Sequence, residues 1–320
     1  MQKKKFITEK YLIRKDYTEK NMIEMDLTKK GLIEKDYTKN YPAPKNHTEK
    51  AHTENVYTES DYSDKKKVIK NQIIQAVVIM LVFYAIEIAM VYLDIFPDYN
   101  TLLIADMVLR IIFGTVSIIL IKSPRRPLFT NKLMPKIWLM MLPFLIYISL
   151  PLVKIIFADV YVPENIAPLT IVVIQQFTVG FYEEARDRGL LMDGLIKWNT
   201  ATVKQRLFTV MISGLIFGLS HLPNIFFGEN PLIQVPATAL WGLFIAAIYM
   251  LSENLALVML LHAFSDITPK ISHGLFGWTT EPAVLKIIEF LGNAFDYVIL
   301  PLAAVYICIR YDKLKGNRAE

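Results

Sequence analysis

Phe181-Tyr182-Glu183-Glu184-Ala185-Arg186-Asp187-Arg188-Gly189-Leu190-Leu191 sets five charged side chains in the middle of apolar sequence. Ile171, Val172, Val173, Ile174, Phe177 and Val179 lead into it, and Leu190, Leu191, Met192, Leu195 and Ile196 lead away. The spacing predicts one continuous helix long enough to cross a bilayer, with its charges near the middle. An ionisable group at membrane depth costs roughly 2.5–3.5 kcal/mol on insertion scales, so it persists where it faces a protein interior or a wet cavity. Glu184 and Arg188 stand at i,i+4 with the acid on the N-terminal side, the favourable order for an ion pair. Glu183 is rotated by about 100° on a helix of 3.6 residues per turn. It is out of register with Arg188 and free for chemistry. The competing reading puts all these charges in a cytoplasmic loop between two membrane segments.

The rest of the chain supports the membrane reading. Of its 320 residues, 53% are hydrophobic, and the mean hydropathy is +0.35. Apolar runs of about 20 residues recur, the length a bilayer requires. The net charge of +5 lies in the N-terminal tail and in loops. It therefore reports membrane orientation, and no stacking-aromatic module for nucleic acid accompanies it. The single cysteine, Cys308, excludes an internal disulfide and a thiolate metal cluster. The N-terminus has no apolar core of signal-peptide type, so the first membrane helix is expected to serve as the insertion signal.

Residues 1–67 form a polar tail with a period of five. Thr8, Thr18, Thr28, Thr38, Thr48 and Thr58 share one phase, in units such as Asp16-Tyr17-Thr18-Glu19-Lys20. The phase resembles that of pentapeptide-repeat proteins. Lys10, Lys20, Lys30 and Lys50 occupy the slot that such a coil fills with a small inward residue, and buried lysines cannot pack it. A period of five gives a helix no apolar stripe either. The tail is expected to be a disordered cytoplasmic segment, with Lys65, Lys66 and Lys67 suited to an anionic membrane surface.

Eight apolar segments follow: 73–93, 102–121, 137–157, 168–197, 207–221, 237–251, 255–267 and 294–309. The expected fold is an all-α, polytopic bundle of about eight transmembrane helices behind a disordered repeat tail. A membrane domain spans 68–310 and a short cytoplasmic tail spans 311–320. Lys122, Arg125, Arg126, Lys132 and Lys136 lie between segments two and three, and Lys197, Lys204 and Arg206 between four and five. With Arg310, Lys313, Lys315 and Arg318 after segment eight, the alternation puts both termini in the cytoplasm. The stretch from Lys270 to Lys286 fits this pattern less well, because it is placed outside and carries two lysines. Asp106 and Arg110 read as a buried structural pair at i,i+4. Glu87 has no local partner, and bonding across helices and facing a cavity both remain open for it.

Two further stretches put ionisable groups in apolar helices. Ser213-Gly214-Leu215-Ile216-Phe217-Gly218-Leu219-Ser220-His221 places the Phe217 ring against the His221 imidazole at i,i+4, and its small residues let another helix approach closely. Leu260-Leu261-His262-Ala263-Phe264-Ser265-Asp266 projects His262 and Asp266 from one face. A lone histidine on an apolar helix is usually a satisfied core residue. Two of them, with an aspartate in step and a glutamate on a third helix, indicate a shared polar site.

In this order and on separate helices, Glu183-Glu184-x-x-x-Arg188, Phe217-x-x-x-His221 and His262-x-x-x-Asp266 resemble the CPBP family. These are the CAAX-protease and bacteriocin-processing (Abi-type) membrane proteins, related to the type II CAAX prenyl endopeptidases. The resemblance covers roughly residues 68–310. It implies a bundle of membrane helices and peptide-bond hydrolysis inside the bilayer of a bacterial plasma membrane. The chain departs from the family at Arg186 and Asp187, where an apolar or aromatic residue often precedes the motif arginine. It departs again at Asp266, where the prenyl endopeptidases carry Asn. An ionised Asp cannot donate a hydrogen bond to an oxyanion, so Asp266 is either protonated, an orienter of His262 or a metal ligand.

Amide hydrolysis needs an activated water and a donor for the tetrahedral oxyanion. The expected catalytic set is Glu183 as base, His221 sharing the water or protonating the leaving amine, and His262 with Asp266 at the oxyanion. Glu184, Arg188 and Phe217 support them. The metal version takes His221, His262, Glu183 and Asp266 as ligands to zinc or another divalent ion, and a metal-free glutamate mechanism stays equally open. The expected partners are a peptide or membrane-protein substrate and the lipid bilayer, with no nucleic acid. The alternative is a non-proteolytic bacteriocin-immunity or partner-binding protein on the same bundle. A transporter is disfavoured, since no internal repeat or paired broken helix is evident.

Overall fold

The computed structural model describes residues 59–93, 95–96, 99–121, 134–196, 200–279 and 282–316. The repeat tail expected to be disordered lies outside them, except for its last residues, which open the first helix. The chain is all-α: α1 (Glu59–Tyr92), α2 (Tyr99–Leu120), α3 (Met134–Lys154), α4 (Ile166–Glu184), α5 (Asp193–Ile196), α6 (Val203–Ser220), α7 (Pro231–Ser252), α8 (Leu255–Leu275), α9 (Ala283–Ala294) and α10 (Leu300–Lys315). The last helix runs five residues past the Arg310 boundary expected for the membrane domain. Among the described residues, seven stretches are long and apolar enough to cross a membrane: Lys70–Tyr92, Asn100–Leu120, Pro135–Phe157, Val203–Phe227, Pro231–Ser252, Leu255–Leu275 and Ala283–Lys315. The charge-bearing helix that begins with α4 is not one of these seven and packs among them as a further helix of the bundle.

The outside of the bundle is apolar, as a lipid-facing surface must be. Ile119 is 70% exposed, Leu139 62% and Leu302 63%, while Asp106, Glu183, Glu184, Arg186, Asp187 and Arg188 are buried. Helix α7 runs through the centre, and every residue from Phe244 to Ser252 is buried. It enters through Asn230, whose side chain accepts from the Leu232 amide at 3.0 Å, and Pro231 opens the helix, where its missing N–H costs nothing. It leaves through Glu253, held in the left-handed region at φ 55°. Asn254 then caps α8 by accepting from the Leu257 amide at 3.0 Å, so α7 and α8 join in a tight hairpin. Thr202 and Gln205 form a capping box at the start of α6.

Helices alternate in direction, and contacts identify the two ends. At the basal end, Lys136 of α3 donates to the carbonyls of Lys313 and Leu314 at the end of α10, at 3.4 and 3.2 Å. Arg206 of α6 pairs with Asp312 at 2.7 Å, and Lys315 pairs with Glu253 at 2.9 Å. At the distal end, Tyr92 donates to the Phe226 carbonyl at 3.4 Å. There also, the two-residue strands β1 (Val160–Tyr161) and β2 (Phe276–Gly277) pair antiparallel. Asp159 accepts from the Thr279 amide and hydroxyl, which holds its carboxyl below the usual carboxylate range. This ribbon ties the start of α4 to the end of α8, the two helices that carry most of the site. Lys270 and Lys286, the two lysines that fitted the charge alternation poorly, lie inside α8 and α9, and the connection between those helices has neither.

Candidate active site

The charged stretch is helical but not uniformly α. After Glu184 the backbone passes into a π-helix, Ala185–Met192, before α5 resumes the α register. All eight π residues are buried. π-turns are rare and concentrate at functional sites. This one breaks the 100° register assumed for a continuous helix, so each charge must be placed by its observed contacts. Arg186 grips Asp187 with two hydrogen bonds of 2.9 and 2.6 Å, donates to the Tyr182 hydroxyl at 3.0 Å and reaches Ser220 of α6 at 3.2 Å. The extra charges relative to the family pattern therefore pair internally.

Glu184 and Arg188 form the expected pair, with Oε2 and Nε 3.3 Å apart and both side chains fully buried. The contact is ionic, without hydrogen-bond alignment. Arg188 also donates to the Gly242 carbonyl at 3.2 Å and lies over the Phe217 ring at 4.4 Å. The other oxygen of Glu184 does something that spacing did not indicate: Oε1 lies 2.8 Å from His262 Nδ1. Asp266, expected to orient His262, instead lies 3.7 Å from its Nε2, with its side chain 32% exposed. Glu184 thus holds the buried side of His262 and Asp266 faces the cavity.

Close helix packing brings the histidines to the glutamate. A Cβ on Gly180 would sit 2.6 Å from the Met259 carbonyl, so only glycine lets α4 approach α8 there. Gly218 does the same for α6 against α7, where a Cβ would meet the Val235 carbonyl at 2.6 Å. The Gly218 contact is of the small-residue kind anticipated for the His221 helix, whereas the Gly180 contact was not anticipated. As a result Glu183 Oε2 stands 3.8 Å from Nε2 of both His221 and His262. That oxygen is buried and has no hydrogen-bond partner among the described residues. His221 Nδ1 lies 2.8 Å from the Phe217 carbonyl, which can only accept, so Nδ1 carries a proton. The ring is packed by Phe217 at 4.8 Å between centroids, as expected at i,i+4. Trp241 packs on His262 at 4.8 Å and on Phe217 at 5.4 Å. Nothing in the sequence of α7 marked Trp241, since its role is to wall a site whose polar groups belong to other helices.

Arg110 also reaches the site. It binds Asp106 at 2.9 Å and Glu87 at 2.8 Å, and its third nitrogen lies 3.8 Å from Glu183 Oε1. Gln175 donates to Asp106 at 2.7 Å. The i,i+4 pair read as purely structural is thus one edge of a network that ends on Glu183. Glu87 is both bonded across helices and facing the cavity.

The expected groups converge on one cavity of about 360 Å³, lined by Glu87, Arg110, Glu183, His221, His262 and Asp266 among others. Glu184 and Arg188 lie beneath it, sealed from solvent. The donor types suit a divalent ion: two imidazole nitrogens and a carboxylate, with both Nδ1 atoms held from behind. As folded they are set wider than a closed ligand shell, and among the described residues no three His, Cys, Asp or Glu gather tightly enough to hold a metal.

The family model described as "Type II CAAX prenyl endopeptidase Rce1-like" matches residues 165–268. That stretch runs from the start of α4 into α8 and contains Glu183, His221, His262 and Asp266. No curated protein and no solved structure matches the chain. Residues 165–268 are thus similar to the Rce1-like type II CAAX prenyl endopeptidases, a match consistent with the resemblance to CPBP-family intramembrane proteases.

Proposed function

We propose that this protein is an integral membrane endopeptidase that hydrolyses a peptide bond with a water activated by Glu183. The observation that carries the reading is Glu183 Oε2, a buried carboxylate oxygen without a partner, facing two imidazole Nε2 atoms at 3.8 Å inside a cavity. A separation above 3.5 Å between such groups is what a bridging water fills. Water held there donates one hydrogen to Glu183 Oε2, and its oxygen attacks the scissile carbonyl carbon. Glu183 takes the proton as the C–O bond forms. His262, fixed through Nδ1 by Glu184, donates from Nε2 to the oxyanion when it carries both protons. Glu183 passes the water's proton to His221 Nε2, the ring nitrogen left free because Nδ1 holds its own proton, and His221 hands it to the leaving nitrogen as the C–N bond breaks. The products are an amine and a carboxylic acid, which then ionises. Arg110 holds the other oxygen of Glu183, which leaves Oε2 turned to the water. Asp266, facing the cavity beside His262 Nε2, contacts the substrate around the reacting carbonyl.

A divalent ion is the alternative activator in the same pocket. Glu183, His221 and His262 are the donors of the right type, but they would have to draw closer than they stand to hold it. Bound there, it would supply a Lewis acid and a water of lowered pKa. The test is cleavage of peptide substrates in reconstituted membranes, comparing wild type with Glu183→Gln, together with elemental analysis of the purified protein. Loss of cleavage in the variant is expected. A metal-free protein that cleaves supports the glutamate mechanism. Near-stoichiometric zinc lost in the His221→Ala/His262→Ala double variant would replace it with the metal one.

A further inference from the structure

The cavity is confined to one half of the bundle. Below Glu183 it is closed: Glu184, Arg188, Leu190, Ser213 and Val258 have no exposed surface. Along α8 exposure rises from His262, whose side chain is 5% exposed, to Asp266 at 32%, and Lys270, a turn further, still lines the wall. On α6 the lining begins at Phe217, in the last turn, and continues past the helix to Asn224. On α7 it runs only from Gln234 to Trp241, in the first half of the helix. Tyr147 and Asp296 complete the upper wall, the Tyr147 hydroxyl donating to Asp296 at 3.3 Å. The cavity therefore widens from the buried Glu184–Arg188 pair towards the distal end, the end of the β1–β2 ribbon.

The two ends of the bundle differ sharply in charge. The distal connections, 93–98, 155–165, 222–230 and 276–282, contain no Lys or Arg. In sequence, the connection between the basal ends of α2 and α3 holds Lys122, Arg125, Arg126 and Lys132, and the one leading into α6 holds Lys197. Lys204 and Arg206 lie in the first turn of α6. Lys313 and Lys315 lie at the basal end too, in the last turn of α10. Positive charge in short connections marks the cytoplasmic side. With Lys270 and Lys286 inside helices, the alternation has no exception among the distal connections.

We infer that the cavity opens to the non-cytoplasmic side of the membrane, so that its substrate is a peptide segment reached from that side and not a cytoplasmic tail. The statement about the cavity stands on geometry and charge; the statement about substrate rests on the proteolytic reading above. The rim supports a membrane-associated substrate, because Leu222, Ile225, Phe226, Leu232 and Ile233 beside Asn224 and Gln234 are all at least half exposed. That places the mouth within the outer leaflet's apolar margin.

The test is accessibility of single added cysteines in sealed right-side-out vesicles. Native Cys308 is fully buried and serves as the silent background. Asn224→Cys and Lys270→Cys report the cavity, and Lys204→Cys reports the basal end. The probe is the permanently charged 2-(trimethylammonium)ethyl methanethiosulfonate. Modification is read as loss of the gel shift given by a polymer-linked maleimide after solubilisation. Near-complete modification of Asn224→Cys and Lys270→Cys in intact vesicles is expected, with Lys204→Cys modified only after permeabilisation. Cavity cysteines modified only after permeabilisation, or not at all, overturn the inference. No turnover is needed, so an inactive protein would remove the protease reading without touching this result. Where wild-type cleavage is measured, outside treatment should stop it in Lys270→Cys and spare the wild type; cleavage that continues in the modified variant overturns the statement about substrate.

Discussion

Glu183 and Glu184 are adjacent in sequence and lie in opposite regions of the bundle. Below, Glu184 is sealed with Arg186, Asp187 and Arg188 in a π-helical layer where each charge meets an opposite one. Above, Glu183, Asp266 and Asp296 face a cavity, and oxygens of Glu183 and Asp296 have no hydrogen-bond partner among the described residues. The two regions teach how a membrane protein uses the same residue type for support and for chemistry. A charge sealed against an opposite charge is scaffold, even where, as between Glu184 Oε2 and Arg188 Nε, the contact is ionic without a hydrogen bond; one that keeps a lone pair towards a wet space is poised to act. Arg110 joins the two roles, since it is saturated by Asp106 and Glu87 and still touches Glu183.

The largest effect is expected from the sealed layer. Glu184→Gln leaves Arg188 without its main partner, and breaking a buried ion pair costs about 3–5 kcal/mol. The thermal midpoint in detergent should fall steeply, and Glu184→Gln/Arg188→Met should recover part of it. If the double variant is no more stable than the single one, the layer is not held by this pair.

Next is Glu183→Gln, which should behave in the opposite way. Turnover should fall by roughly 10²-fold or more, the usual contribution of a positioned general base. Stability should hold or rise, because a neutral amide costs no more to bury than a carboxylate. An unstable but active Glu183→Gln would reverse the roles assigned to the two glutamates.

Arg110→Lys sharpens the boundary between the regions. Lysine keeps the charge but cannot reach Asp106, Glu87 and Glu183 together. The expected loss is about tenfold in kcat with KM unchanged, roughly the 1.5 kcal/mol of one hydrogen bond to a charged group. A change in KM alone would make Arg110 a substrate contact.

The smallest effect belongs to the distal ribbon. The Asp159 carboxyl is held low by Thr279, so its contribution to stability is present above the unfolded carboxylate pKa and is lost as pH falls through the lowered folded value. Thr279→Ala should weaken that acid-side dependence, since the hydroxyl is lost while the backbone amide still donates, read as thermal midpoints from about pH 5 towards pH 2. Because the carboxylate is fully exposed, the difference at neutral pH should be slight. A large neutral-pH effect would mean that the ribbon governs the packing of α4 on α8.

Much of this was legible along the chain. Apolar runs of bilayer length located the membrane helices, because lipid demands them. Glu184–Arg188, Asp106–Arg110 and Phe217–His221 were readable because helical neighbours at i,i+4 meet whatever the tertiary fold. The ordered motifs also indicated that Glu183, His221, His262 and Asp266 share a site. Pairs between helices were not readable, since they depend on tilt and azimuth, which close contacts such as Gly180 on Met259 set. Hence Glu184, and not Asp266, holds His262 Nδ1, and Arg110 reaches Glu183. Hence also Trp241, an apolar residue in an apolar helix, closes the wall. The π-helix at Ala185–Met192 lay beyond pattern reading for a related reason: buried pairing of Arg186 with Asp187 and Ser220 accompanies a backbone register that local periodicity does not encode. Linear spacing carries contacts within one helix, and the contacts that make a site here are between helices.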